Sequence, residues 1–315
     1  MTSPTSSTSD SSPVVEGREH EGEQAVQRRT GGVRPGKGSP MFGPHLRTEL
    51  AEMISEQPLA ILAGVDCEAR LWATVLTSEH RLVRPGDSDT VRLDALPVPG
   101  DPLRHAFDTE QACATLFLDL AAPRRVRING RARRHGGHLE LRSEQAFRNC
   151  AKYIHQRELL EPAPSRPARV LHSTALSPRQ QDWIATADTF FFASNSAQHG
   201  ADVNHRGGPS GFVRVADDHT LSWPDYRGNG FYMTFGNLEL DQSCGLCFLD
   251  WEHGHSLHLS GIARVEWGPD PHDHTHRIVH FTVEHVVEIR DTTTLRWRSS
   301  DPTPITSPDQ QEGRP

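Results

Sequence analysis

The chain has 315 residues and a formal charge of −8; 35% of it is hydrophobic, and it holds 23 prolines and 25 glycines. That length leaves room for two domains of roughly 100–200 residues each, and the negative balance speaks against a general nucleic-acid binder, which needs a surplus of Lys and Arg on one face. No apolar run reaches the roughly 18 residues of a membrane-spanning helix, and the Ser/Thr-rich start lacks the basic and apolar segments of a secretory signal; a cytoplasmic protein with no membrane or nucleic-acid partner is expected.

In chain order, residues 1–15 read as a polar tail that buries too little apolar surface to order itself. Leu50, Met53 and Ile54 mark a helix over residues 47–56, followed by the apolar run Ala60-Ile61-Leu62-Ala63-Gly64-Val65, a strand. Arg125-Val126-Arg127-Ile128-Asn129 alternates polar and apolar, which predicts a strand with one packed and one wet face. On that reading Arg124, Arg125 and Arg127 are a local basic patch on the solvent side. A further helix is expected over residues 145–160, and residues 158–175, with Pro162, Pro164 and Pro167, read as a linker. Ser177 before Pro178 is a helix start, leading to Trp183 and Ile184. The run Thr189-Phe190-Phe191-Phe192-Ala193-Ser194 is a strand, Asp217-Asp218-His219 a turn, and Ser256-Leu257-His258-Leu259-Ser260 another half-packed strand. Residues 299–315 read as a second polar tail.

The two halves resemble each other. Leu118-Asp119 with Gly130-Arg131-Ala132-Arg133 matches Leu249-Asp250 with Gly261-Ile262-Ala263-Arg264 at a constant offset of 131. Upstream, the stretch starting at Leu82 and ending at Thr90 matches the one from Phe212 to Thr220 at an offset of 130. Two segments at nearly one offset point to an internal duplication, with each repeat unit one helix followed by about six strands. The expected domains are residues 16–157, with an N-terminal arm, and residues 176–298.

Several constellations carry chemistry. Arg206, Gly207, Gly208 and Arg214 combine positive charge with backbone that a phosphate can approach; a glycine hairpin flanked by surface arginines is the other reading. Tyr226 and Gly228, with Asn229, Thr234 and Asn237 after them, supply a ring and polar groups for an aromatic ligand, or a polar loop held by its own turn. The matching stretch of the first half, from Asp94 to Asp101, lacks the Tyr, Arg and Asn, so one site is expected to be kept and the other eroded. Cys244 and Cys247 have the spacing of a redox or zinc half-site, but no second such pair exists, and strand positions three apart face opposite sides. Cys150, two residues before Lys152, is either a buried structural cysteine or a thiol activated by its neighbour. Five cysteines without a dense pattern suit a reducing compartment. His272, His274 and His276 would share one face of a strand, but their surroundings are those of an exposed loop, and no metal is expected.

The stretches ADTFFFASNS, GADVNHRGGPSGFVRV, LSWPDYRGNGFYMTFGNL and CGLCFLDWEHGHSLHLSGIARVEW resemble, in that order, the pyridoxamine 5′-phosphate oxidase-like split barrels that bind flavin nucleotides. HEGEQAVQ and NCAKYI in the first half resemble a tandem, two-barrel subgroup. The resemblance, over residues 16–297, implies a mainly β chain with a few helices, folded as two tandem split β-barrels. It implies FMN as cofactor, held by Arg206, Gly207, Gly208, Arg214, Tyr226, Gly228, Asn229, Thr234 and Asn237, with His205 and Tyr226 as catalytic candidates. It also implies a small-molecule substrate, NAD(P)H as a hydride source, and an internal pseudo-dimer or a homodimer. In a pseudo-dimer His20, Glu21 and Arg28, or Lys152 and Tyr153, would complete the pocket from the first half. The family's common Ser-x-Lys phosphate pair is not evident. Relatives that only hold flavin, that bind or degrade haem, or that use a deazaflavin are the alternatives.

Overall fold

The computed structural model describes residues 19–31, 43–87, 89–228, 230–268 and 277–300. Asn229, the trio His272, His274 and His276, the expected N-terminal tail and all but the first two residues of the C-terminal one lie outside them.

Two antiparallel sheets account for most of the chain. The first contains β1 (Leu59–Val65), β2 (Leu71–Thr77), β3 (Val83–Pro85), β4 (Thr90–Leu93), β5 (Gln111–Asp119), β6 (Arg124–His135) and β7 (His138–Arg148). Between the sheets come β8 (Arg157–Leu159) and β9 (Arg169–Ser173); the second sheet contains β10 (Thr189–Ser196), β11 (Gly200–Gly207), β12 (Arg214–Val215), β13 (Thr220–Pro224), β14 (Ser243–Leu249), β15 (Ser256–Glu266) and β16 (Ile278–Arg290), and β17 (Trp297–Ser299) closes the chain. The strand orders are β2-β1-β5-β6-β7-β4-β3 and β11-β10-β14-β15-β16-β13-β12, one topology used twice. Among the described residues each unit therefore repeats seven strands rather than about six, in an order that is not a simple meander, and the second sheet gains β9 as an eighth. Strands from both ends of the first sheet line one interior, Trp72 of β2 and Val83 of β3 meeting Val91, Phe117 and Leu141 there; in the second, Phe192, Leu221 and Phe281 share a core against which Val215 of β12 packs. The protein is thus two tandem split β-barrels.

Four α-helices decorate them among the described residues: α1 (Glu21–Arg29), α2 (Thr48–Ser55), α3 (Pro178–Thr186) and α4 (Met233–Leu240). α2 and α3 each precede the first strand of a barrel, and α3 starts as its sequence dictates: Ser177 and Gln180 form a reciprocal capping box with Pro178 in the first turn. No helix forms over residues 145–160. The backbone stays extended to Arg148 because Ala146 and Phe147 pair with Ile128 and Arg127, and Tyr153 (φ 65) then turns it into the left-handed region, where a helix cannot continue. The stretch 158–175 holds two strands: β8 pairs with β17, and β9 adds to β16.

A third apolar cluster lies between the barrels. Ile61, Ala63, Ala73, Leu116 and Leu118 of the first meet Phe191, Ala193, Val203, Cys247 and Leu249 of the second. This explains why β1 and the start of β10 read as unbroken apolar runs: one face fills a barrel and the other fills the joint, so alternation vanishes. It also corrects the wet faces expected of β6 and β15. Val126 and Ile128 point into the first barrel, while Arg127 and His258 are buried against the opposite one and Ser256 is buried beside His258. Cys244 and Cys247 do face opposite sides, one in the second barrel's core and one in the joint. No helix of the described residues is long and apolar enough to cross a membrane.

Candidate functional site

Two adjoining clefts open where β6 of the first barrel meets β11 and the start of α4. The first, about 460 Å³ with open solvent included, is lined by Arg127, Asn204, Arg206, Tyr226, Met233 and Thr234 among others. The second, about 420 Å³ on the same measure, is lined by Arg125, Cys150, Lys152, Tyr153, His205 and Gly207 among others. Arg206, Asp225, Tyr226 and Gly228 belong to both.

The strand geometry sets this up. Arg125 and Arg127 share a face of β6, two residues apart, and that face abuts β11. Arg127 pairs with Asp202 at 2.6 Å and reaches Asn204 Oδ1 at 2.7 Å, a buried ion pair across the joint. Removing one partner of such a pair costs about 3–5 kcal/mol, since it strands the other charge. Asn204 donates to Thr234 Oγ1 at 2.6 Å, tying α4 to the same network. Arg277 is taken up by Asp225, at 2.7 Å. Once these pairs are formed, Arg125, Lys152 and Arg206 pair with no carboxylate among the described residues.

The surplus charge leaves marks. Nε of Arg125, Arg127 and Arg206 and Nδ1 of His205 are buried without a hydrogen-bond partner. Burial, and after it the neighbouring Arg206, lowers the Arg125 guanidinium to about 9. Burial, then Arg125, holds the His205 imidazole well below the ordinary histidine range, so it is neutral at physiological pH. Among the described residues, two of the four non-glycine residues with positive φ, Tyr153 (65°) and Tyr232 (58°), line these clefts, the placement expected where a ligand site holds its backbone in a costly conformation. Tyr153 and Tyr226 face each other with centroids 5.3 Å apart.

The expected site residues divide. Arg206, Gly207, His205, Tyr226, Gly228 and Thr234 come together at the clefts. Arg214 does not: it is exposed on the edge strand β12, opposite Ser222, and lines neither cleft. Gly208 and Asn237 act one layer back. A side chain at Gly208 would meet the Phe212 ring at 2.7 Å, and Asn237 donates to Ser194 Oγ at 3.1 Å from inside α4. At Gly207 a Cβ would stand 2.0 Å from the Tyr153 carbonyl oxygen, so the glycine admits the first half's chain rather than a phosphate. Of the first-half groups expected to complete the pocket, Lys152 and Tyr153 do line it. His20, Glu21 and Arg28 do not. His20 caps α1, its Nδ1 accepting from the Gly22 and Glu23 amides at 3.2 and 3.4 Å. With Glu21 and His199 it forms the one group of metal-ligand atoms found among the described residues, but that ring is committed to the cap and to Asn237.

Arg125, Arg127 and Asn204 were the residues that sequence reasoning missed. The alternation of β6 was visible, but nothing in it said that the polar face met another barrel. The strand pairings supply the missing comparison. Ile61 pairs with Val75 and Phe191 with His205; Leu116 pairs with Arg127 and Cys247 with His258. Arg206 therefore corresponds to Leu76, Arg125 to Ser256 and Arg127 to His258. The contacts are reciprocal too, Arg127 Nη1 reaching the Val203 carbonyl at 3.4 Å and His258 Nδ1 the Ala73 carbonyl at 2.8 Å, as across a twofold interface. At the twin position the cations are gone, and Ser256, His258 and Thr292 hydrogen-bond one another instead.

No family model and no curated protein matches the chain. Among solved structures it is similar to HupZ of Group A Streptococcus (16% identity, TM-score 0.27, 35% of this chain and 90% of that one). It is also similar to a Clostridium acetobutylicum protein related to general stress protein 26 of B. subtilis, of the pyridoxinephosphate oxidase family (12%, 0.28, 39% and 93%). A third is the FAD binding protein of Mycobacterium smegmatis (12%, 0.25, 37% and 99%). Likenesses this distant, each over little more than a third of the chain, carry no functional weight of their own.

Proposed function

We infer that the paired clefts bind a flavin nucleotide, FMN being the expected form, and that the chain is an FMN-dependent oxidoreductase acting on a small molecule. The observation that carries this is the set of three cations, Arg125, Lys152 and Arg206, which form no ion pair with a carboxylate among the described residues, in clefts walled by Tyr153 and Tyr226 where Asp225, already paired with Arg277, is the acidic lining group. Such a place suits an aromatic anion: guanidinium N–H groups left unpartnered are hydrogen-bonded once a phosphate arrives. The sequence resemblance to flavin-binding split barrels supplies the aromatic part of the reading.

When bound, the flavin supplies the hydride and electron chemistry, with NAD(P)H or the substrate as source. The chain's own residues bind, orient and manage protons. Arg206, shared by both clefts, neutralises the anion, and Arg127, fixed by Asp202 and Asn204, stiffens the wall beneath it. His205 is held neutral, so it is a hydrogen-bonding group rather than an acid at pH 7. Tyr226, which faces both clefts, is the side chain placed to hold a proton at the ligand.

The closed setting of His205, 3% exposed, favours one second reading, a protein that holds flavin without turnover. Titration of the purified chain with FMN, followed anaerobically by NADH or NADPH, separates the two. Flavin absorbance that bleaches with the pyridine nucleotide or a substrate supports the oxidoreductase; bound flavin that none reduces supports the carrier. Failure to bind FMN or FAD at tens of micromolar refutes both.

A further inference from the structure

Of the five free cysteines, Cys113, Cys244 and Cys247 are sealed in cores, and only Cys67 and the half-buried Cys150 can meet a reagent. Their surroundings are opposite in charge. Cys67 sits in an exposed turn between Asp66 and Glu68. Cys150 lines the second cleft with Arg125, Lys152 and Arg206, and its sulfur lies within electrostatic reach of Arg125. A separate observation points to a ligand in this cleft: His205, 97% buried, lines it with Nδ1 unpartnered, and Nε of Arg125 and Arg206 also lacks a hydrogen-bond partner.

We propose that Cys150 is a thiolation site for anionic low-molecular-weight disulfides, and that the mixed disulfide fills the cleft and shuts out its ligand. The Cys150 thiol gives its proton to solvent, and the thiolate attacks one sulfur of the incoming disulfide. That S–S bond breaks, a new one forms to Cys150, and the other half leaves as a thiolate that takes up a proton. The Cys150 sulfur is oxidised and the departing sulfur reduced; a reducing thiol reverses the exchange. Selection is by charge, because cations in a low-dielectric cleft raise the local concentration of an anionic reagent about tenfold or more. The shutting-out rests on the flavin reading above; the charge-selected exchange does not.

The test uses the full chain as Cys67→Ser and Cys150→Ser variants, with dithiobis(nitrobenzoate), a dianion, and dipyridyl disulfide, which is neutral. The ratio of the two exchange rates is expected to be at least about tenfold higher when Cys150 is the reachable thiol than when Cys67 is. That excess is expected to collapse in about 0.5 M salt and when Lys152→Gln is added. Equal ratios, or a Cys150 that refuses both reagents, overturn the site. FMN binding to the Cys67→Ser chain is expected to vanish on thiolation and return with dithiothreitol, while the treated Cys150→Ser chain binds as before. Retained binding by the thiolated Cys67→Ser chain overturns the gate. No binding before treatment overturns the flavin reading and the gate together, and the rate ratio still decides the exchange.

Discussion

Arg206 stands where the first barrel has Leu76, and that substitution within one molecule predicts the outcome of making it deliberately. Arg206→Leu removes a guanidinium that makes no hydrogen bond to the described residues and stacks loosely over Phe192 and Phe235 at 5.7 and 5.9 Å. The fold is expected to survive, since a leucine already fills the equivalent place. Loss of a hydrogen bond to a charged group is worth about 1.5–3 kcal/mol, so FMN affinity is expected to fall roughly 10- to 150-fold. Fluorescence titration of FMN against both proteins checks this, and unchanged affinity would remove Arg206 from the site. Arg206, His205 and Tyr226 were legible in the sequence because glycines and polar residues crowd around them in one short stretch. Arg125 and Arg127 were not, because a strand's polar face looks the same whether it meets water or a second barrel. Arg214 misled for the same reason in reverse: it lies close to the glycines in sequence, but edge strand β12 points it outward.

The repeated Gly-x-Ala of β6 and β15 was legible as pattern, and the structure gives its cause. Both strands shift register at the same place, between Asn129 and Gly130 and between Ser260 and Gly261. At each bulge a Cβ would lie 2.0 Å from a facing carbonyl oxygen, that of Arg142 or Thr282. Gly130→Ala and Gly261→Ala are each expected to cost about 1–3 kcal/mol or more through forced backbone movement, seen as a Tm several degrees lower. Gly137→Ala, with nothing within 4 Å of its built Cβ, is the control expected to leave Tm in place. Helix α1 is a different matter, since its docking depends on two groups of opposite sense. Burial, then His199, lowers His20 from the usual 6.5 to about 4, and burial raises Glu23 from 4.5 to about 8 against the pull of the His20 amide. Between about 4 and 6.5 the undocked chain binds the extra proton at His20, so docking strengthens with rising pH; between 4.5 and 8 the docked chain holds the extra proton at Glu23, so docking weakens. The slopes cancel from about 4.5 to 6.5, and docking is lost as pH climbs from 6.5 through 8. Trypsin cleavage at exposed Arg28 and Arg29, normalised to a peptide substrate, is expected to rise over that upper range and to stay flat in Glu23→Gln. None of this was legible in HEGEQAVQ, because both shifts come from packing against α4, where Gly22 and Gly236 let the backbones meet.

At the scale of the whole molecule, one topology used twice has two equivalent positions, and the cation set on which the proposed function rests occurs at only one of them. The twin of the cationic clefts has Leu76 for Arg206, Ser256 for Arg125, His258 for Arg127 and, at the same offset, Leu96 for Tyr226. Leu76 lies in the first barrel's core and Leu96 packs against it, while His258 is satisfied by the Ala73 carbonyl at 2.8 Å and Ser256 Oγ at 2.7 Å. Nothing there lacks a partner that an anion could supply. The first barrel instead lends Arg125, Lys152 and Tyr153 to the site of the second, so neither barrel alone carries the complete cation set. The difference between the halves was legible in the stretch from Asp94 to Asp101, which lacks the Tyr, Arg and Asn of its counterpart; the lending was not, because it depends on which outward faces pack together. Calorimetric titration with FMN is therefore expected to saturate at one equivalent per chain, and Arg206→Leu is expected to weaken that single event rather than remove one of two. Saturation at two equivalents, with one of them indifferent to Arg206→Leu, would mean that the twin position opens and that the asymmetry of charge between the barrels does not govern what they bind.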